Sequence, residues 1–522
     1  MARSHTYTAI TLLMAILCGC SSLEDSVGLR SDEAVQIAET SSAPDFVAVM
    51  DQIPVTRTVL SDGSEPGKYK VVWDSSDEIC IAFTTENSGY YLGTYAAAPD
   101  RNDRTKAILT SEEDPMVCNI AGNPDNIFAI YPASSSVLAT TYVLSSIMGY
   151  GNMDNFGNHL MDCSCVVKLQ DTLTYQDEDI PFAPMVAKAG DGSSTLAFKN
   201  LCALLAVTVP YSEVKSVKSV TVRADKTIAG LARVNFDSDG IPSIEWETEG
   251  NSSAEGCPLS NSVTLECDEE GYAVMIPSNR SMTFYIPVPP ATYSSLQIEV
   301  TDVNDIVYAM KTKPKTEFSI ERSKIYSMDF IGVFGWAPKT EDGTTINMKW
   351  VRMWEDGPRF AACNYGGASS STREDYGTRG TCLSWAAAVD WNGWGDNWSA
   401  SASKEDWGRL AAMNAQSIFS YSIEGQWYME LKGASGSAYQ YNSLYFPLGD
   451  MEVSGLHQQS WGANYFSSTP VDGNEDKGWS YRMDFSITSY DDGWGDVYDY
   501  TDEYCYCFAE EAAYAFIRPV LK

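Results

Sequence analysis

Up to about residue 335 the apolar side chains recur with a period of two, and this spacing constrains the fold more than any other feature. Tyr69, Val71 and Trp73 alternate with Lys70, Val72 and Asp74, and Ile79, Ile81 and Phe83 repeat the pattern. Met282, Phe284, Ile286 and Val288 continue it, then Leu296, Ile298 and Val300, then Tyr326, Met328 and Phe330. Successive side chains of a strand point to opposite faces, so each run presents one apolar face and one polar or small one. Gly, Pro, Asn or Asp bound these runs, as expected of half-buried strands. Pro287, Pro289 and Pro290 fit only an edge or the stretch beyond a strand, because proline has no N–H to give to a ladder. Helical periodicity is almost absent here, which predicts β-sandwiches. Beyond the N-terminal stretch the longest apolar run, residues 201–209, has strand length and falls far short of the roughly 18 residues of a spanning helix.

At about residue 335 the composition changes. Twelve of the 14 tryptophans lie in residues 335–522, and glycine is more frequent there. A domain boundary is expected near Val333, in keeping with a 522-residue chain too long for one core. Ser403-Lys404-Glu405-Asp406 has the spacing of a capping box, and Trp407, Leu410 and Ala411 follow at i, i+3 and i+4. One helix among short Gly-, Asn- and Ser-punctuated segments predicts a compact α+β domain.

The N-terminus carries export signals. Arg3 precedes an apolar stretch, residues 9–17, of signal-peptide length. Leu17-Cys18-Gly19-Cys20 matches a lipobox, with Leu at −3, a small residue at −1 and the cysteine that is acylated. Cys18 is a poorer acceptor because bulky Ile16 and Leu17 precede it. An ordinary signal peptide cut after Gly19 is the alternative. The expectation is a signal peptide over residues 1–19 and a chain lipidated on Cys20, held at the outer membrane of a Gram-negative cell. Several acyl chains hold far more firmly than one. Residues 20–45 are polar and read as a tether. Its start, Ser21-Ser22-Leu23-Glu24-Asp25, resembles the surface-export signals of some lipoproteins and reads equally as a solvated linker.

A formal charge of −35 repels phosphate backbones, so no nucleic-acid partner is expected, and lipid is the expected membrane attachment. Of 13 cysteines, Cys18 leaves with the signal and Cys20 takes lipid. An odd number remains, so at least one is unpaired within the chain. Cys163-Ser164-Cys165 and Cys505-Tyr506-Cys507 place two sulfurs on one strand face, which reads as buried or bridged thiols rather than a metal site.

Residues 54–330 resemble the fimbrillin family, the subunits and accessory proteins of type V pili. The residues that carry this are Thr56-Arg57-Thr58, the W-x-x-x-D-x-I pattern of Trp73, Asp77 and Ile79, and Ala129-Ile130-Tyr131-Pro132-Ala133. Residues 196–205 and Phe284-Tyr285-Ile286-Pro287-Val288-Pro289-Pro290 follow in order. The resemblance implies two transthyretin-like β-sandwich domains, 46–190 and 191–333. Residues 334–522 resemble the Fibrobacter-type major paralogous domain, often placed near the C-type-lectin fold. The matches are Ala361-Ala362-Cys363-Asn364-Tyr365-Gly366, residues 404–410, Ser443-Leu444-Tyr445-Phe446-Pro447-Leu448-Gly449, residues 464–469 and Ile517-Arg518-Pro519-Val520. The family's W-R-L-P-T is here Trp398-Ser399-Ala400-Ser401-Ala402, without its Arg or Pro. The expected architecture is therefore mainly β, two transthyretin-like β-sandwiches followed by an α+β C-type-lectin-like domain.

Catalytic signatures are absent. Beyond the signal only His159 and His457 remain, and there is no H-E-x-x-H, no G-x-S-x-G and no Walker loop. In so acidic a chain a glycosidase carboxylate pair does not stand out. No enzyme activity, cofactor or metal is expected. Two aromatic–acidic stretches remain, residues 390–398 and 491–496. Trp391, Trp394, Asp396 and Trp494 are the candidate ligand residues, because indole faces stack on sugars and carboxylates accept hydroxyl protons. The competing reading is that these tryptophans fill a loop-rich core while the aspartates form turns. An oxygen-ligand Ca²⁺ loop fits less well, since the spacing is not that of an EF-hand.

The resemblance implies a pilus component with an adhesive C-terminal domain for glycan or host surface. Its rivals are a free-standing surface glycan-binding lipoprotein and a surface hydrolase. In shaft subunits of that family, cleavage after an arginine removes an N-terminal strand, and another subunit donates a strand into the groove. Arg30 and Arg57 are the candidate cleavage sites here; ordinary exposed arginines are the alternative. Residues 516–522 look like the closing strand of the last domain rather than a tail to donate, which predicts a tip position.

Overall fold

The computed structural model describes residues 45–50, 59–62, 69–84, 90–111, 116–118, 126–135, 165–175, 184–190, 193–246, 258–269, 272–311, 317–341, 344–364, 382–384, 397–399, 401–414, 419–423, 426–447, 449–453, 456–471, 474–485, 490–491, 497–498, 505–512, 514–516 and 518–521. Over these residues the protein is mainly β, and the α-helix among them is Lys404–Asn414. No described helix is long and apolar enough to cross a membrane.

An eight-stranded sheet runs in the order Glu78–Thr84, Asn126–Tyr131, Met185–Gly190, Thr195–Asn200, Phe46–Met50, Lys106–Thr110, Tyr90–Pro99 and Met116–Cys118. Tyr90–Pro99 also pairs with Glu78–Thr84, so all but the last strand close into a ring. Closure removes the exposed edges that an open sheet would carry. The inward residues form one core, with Phe46, Ala48, Met50, Trp73, Ile79, Ile81, Tyr95, Leu109 and Phe198 among them. The W-x-x-x-D spacing has a local cause here. Trp73 stacks edge-on against Tyr131 at 5.5 Å and Phe198 at 5.2 Å. Asp77, buried beside it, accepts hydrogen bonds from the Tyr131 hydroxyl at 2.9 Å and the Asp74 amide at 2.6 Å.

The apolar run expected to be a strand is Ala203–Pro210, buried on both faces between antiparallel Ser281–Val288 and parallel Ile325–Asp329. Pro287 accordingly sits on an edge strand of that sheet as described. Leu205, Val207 and Phe284 pack onto Val220, Ile298 and Val300 of a second layer, which makes a two-layer core.

That second layer is a ten-stranded sheet, and it crosses the boundary expected near Val333. Val307–Lys311 pairs with Phe334–Glu341, and the sheet continues through Thr344–Arg352 and Arg359–Ala361 to Val520–Leu521 and Trp398–Ser399. Ala337, Met348, Trp350 and Trp398 share one core with Val300 and Tyr308. Pairing crosses the expected 190/191 division as well. Cys165–Leu169 pairs with Gly230–Phe236, and Thr172–Thr174 with Ser262–Glu266, while Thr195–Asn200 completes the first ring. Val167, Leu169, Ala232 and Val234 cover the outer side of that ring at Phe128, Ile130 and Val186. Alternation assigns a residue to a face of its strand; it does not name the strand's neighbour.

Candidate functional site

The candidate site is the place of Phe46–Met50 in the closed ring. The strand runs parallel to Thr195–Asn200 and antiparallel to Lys106–Thr110, so both its edges are paired. The Val47 amide donates to the Ser194 carbonyl at 2.7 Å and the Met50 amide to the Thr105 carbonyl at 3.1 Å. Burial alternates along it, with Phe46, Ala48 and Met50 inside and Val47 and Val49 half-buried outside. The Phe46 ring meets Tyr95 edge-on at 5.5 Å. Burial pushes the Tyr95 hydroxyl well above its ordinary pKa, with the Asp45 carboxylate adding to the effect, and that hydroxyl has no hydrogen-bond partner among the described residues.

Such a strand is separable in principle once the chain is cut on its C-terminal side, because its pairing to both neighbours is made by backbone hydrogen bonds that another extended segment can replace. Burying the phenylalanine and methionine is worth roughly 1.5–3 kcal/mol each. Without the strand the ring would show two unpaired edges facing each other across an apolar floor, a template for another extended segment. No strand was read at residues 46–50 from the sequence. Its signal is five consecutive apolar residues, which periodicity alone does not distinguish from a short buried helix.

Every residue singled out as a candidate from the sequence, namely Cys20, Arg30, Arg57, Trp391, Trp394, Asp396 and Trp494, lies outside the described residues. Arg57 follows Met50 in the chain and Arg30 precedes Phe46. A cut after Arg57 therefore separates the strand covalently from the rest of the ring; a cut after Arg30 leaves it attached. Trp398, at the end of the first tryptophan-rich stretch, is fully buried and donates its indole N–H to the Pro338 carbonyl at 3.2 Å, so this one is core.

In the C-terminal region the matched motifs converge on packing. Arg518, 0% exposed, donates from Nη1 to the carbonyls of Ala361 and Ala362 and from Nη2 to that of Tyr445 at 2.6 Å. Its guanidinium stands 4.4 Å from the centre of the Phe446 ring. Burial pulls its pKa below the ordinary value. The helix Lys404–Asn414 starts at a reciprocal cap, Ser403 N donating to Asp406 Oδ2 at 3.3 Å and Asp406 N to Ser403 Oγ at 3.1 Å. Trp407 and Leu410 face the core, while Ala411 is only half-buried. A shift in register along Leu456–Val471 lets Ser468 N reach the Ala402 carbonyl at 2.7 Å and Thr469 Oγ1 accept from Lys404 N at 3.0 Å. These motif residues build a scaffold. Cys165, Cys202 and Cys267 are buried thiols, each with its pKa raised chiefly by burial. Among the described residues no group of three or more His, Cys, Asp or Glu is placed to hold a metal ion.

No protein-family model matches the chain, and no curated protein sequence matches it. Solved structures similar to it include a provisionally assigned cell adhesion protein from Bacteroides ovatus, at 13% identity and a TM-score of 0.31, covering 61% of this chain and 100% of that one. Another, from Bacteroides uniformis, has 12% identity and a TM-score of 0.27 over 54% of this chain and 94% of its own. The tip fimbrial protein Mfa3 from Porphyromonas gingivalis, C-terminally truncated, has 9% identity and a TM-score of 0.23 over 60% of this chain and 100% of its own. Likenesses this distant carry no conclusion about this chain.

Proposed function

We propose that this chain is a surface-exported pilus component whose ring accepts a strand from another subunit, and whose C-terminal region is the adhesive part. The observation that carries the reading is Phe46–Met50, paired on both edges and alternately buried, with Arg57 as the next arginine in the chain. Cleavage after Arg57 followed by loss of residues 46–50 would convert a closed sheet into an acceptor groove. Arg57 is thus the better of the two cleavage candidates. Val520–Leu521 is built into a sheet between Arg359–Ala361 and Trp398–Ser399, so these two residues are held by pairing on both sides; the tip position is part of the proposal. Lipidation on Cys20 would carry the chain to the surface before cleavage releases it. Trp391, Trp394, Asp396 and Trp494 remain the proposed contacts to a glycan or host-surface ligand.

The test uses the full chain and its Arg57→Ala and Arg30→Ala variants, treated with an arginine-specific protease and mixed with shaft subunits. Incorporation at pilus ends by the wild type and the Arg30→Ala variant, but not by Arg57→Ala, is expected. Repetition of the protein along the shaft, or incorporation that ignores Arg57, sinks the reading.

A further inference from the structure

We propose that the groove under Phe46–Met50 selects its occupant by side-chain size, taking an extended peptide of the pattern large apolar, any, small, any, large apolar. The peptide lies parallel to Thr195–Asn200 and antiparallel to Lys106–Thr110. This rests on the strand-acceptor reading above and adds to it a statement of which strand is accepted.

The size pattern follows from the register. Phe46 lies opposite Leu109, and its ring reaches Tyr95. Met50 lies opposite Phe198. Ala48 lies between Leu196 on one side and Ala107 on the other, and all three are buried at 2% exposure or less. Neighbours across a ladder point to the same face, so each inward position meets those partners at close range. Packed interiors hold few voids larger than a water molecule. A larger side chain at the middle position therefore overpacks the ring, while a small one at either end leaves a cavity. A slip of one residue would turn the outward positions of Val47 and Val49 inward, so register is specified as well as composition. Direction is specified too. The two flanking strands run oppositely to each other, and parallel and antiparallel ladders differ in hydrogen-bond pattern, so a reversed occupant mismatches both.

The experiment uses the full chain with residues 52–57 replaced by the recognition sequence of a sequence-specific protease. It is cut after folding, then mixed with an excess of short fluorescent peptides containing Phe-Val-Ala-Val-Met, the same with Phe in the middle, Ala at both ends, or the order reversed. The first peptide is expected to displace the resident strand. Occupancy by each of the others is expected to fall about tenfold or more, the scale of an overpacked or hollowed core position. Equal occupancy by the middle-Phe peptide overturns size selection while strand acceptance stands. Failure of every peptide to exchange overturns the acceptor reading, and the selection with it. In the uncut chain, Ala48→Phe should lower the melting temperature and Val47→Phe should leave it nearly unchanged; the reverse order also overturns the proposal.

Discussion

Arg518 is a cation with no exposed surface, held by carbonyl groups of two separate segments and by the face of Phe446. A planar guanidinium spreads its donors in a fixed fork, and its weak hydration lowers the cost of burial. A lysine offers one compact ammonium and cannot reach both segments in that plane. Arg518→Met is expected to destabilise the C-terminal region by about 3 kcal/mol, since buried carbonyls lose their donors, and Arg518→Lys by nearly as much. Urea unfolding followed by tryptophan fluorescence measures both; a lysine variant as stable as wild type would show that charge alone matters there. The same scale shows what was legible residue by residue. Trp73 and Asp77 stood out in the sequence only through the family resemblance, and the hydroxyl that completes their local contact comes from Tyr131, 54 positions away.

The helix Lys404–Asn414 was legible at its start and not at its end. Ser403 and Asp406 satisfy each other's amides, as their spacing predicts, because capping is settled within one turn. Ser403→Ala should cost about 1 kcal/mol and weaken hydrogen-exchange protection in the first turn before any other part of the chain. Unchanged protection there would mean that the contacts to Ser468 and Thr469 hold the terminus by themselves. At the other end Asn414 is a buried polar residue. Its Nδ2 donates to the Lys432 carbonyl at 3.0 Å and its Oδ1 accepts from the Lys432 amide at 2.7 Å, tying the helix to the strand Gln426–Lys432. No local pattern announces such a tie, since its partner is a backbone 18 residues on.

Across the whole molecule the decisive feature is the sheet that passes from the second core into the C-terminal region. Gly335 makes it possible: a Cβ there would stand 1.8 Å from the Val307 carbonyl oxygen and 2.7 Å from the Trp350 ring. Half-buried Glu213 reinforces the junction, accepting from the buried Arg352 at 3.0 Å and the Gly332 amide at 3.1 Å, while Asn442 donates to the carbonyls of Val333 and Arg352. Gly335→Ala in the full chain should force Phe334–Glu341 away from Val307–Lys311, at a cost of about 1–3 kcal/mol or more. Hydrogen exchange should then rise in both strands together. Loss of protection in one alone would show that the two regions are stabilised separately.

The sequence by itself determined the strand character of the alternating runs, the exclusion of Pro287 from the interior of a sheet, the cap at Ser403 and the shift in composition near residue 335. These depend on neighbours within a few residues, through the period of the backbone and the reach of a side chain. The tertiary structure decided that Phe46–Met50 is a central strand, that the first sheet closes on itself, and that ladders pass across positions 190 and 333. Those outcomes rest on which strand edges meet. Pairing is made by backbone groups that are nearly the same in every residue, and alternation says only which face is buried, so the neighbour is chosen by the packing of the whole.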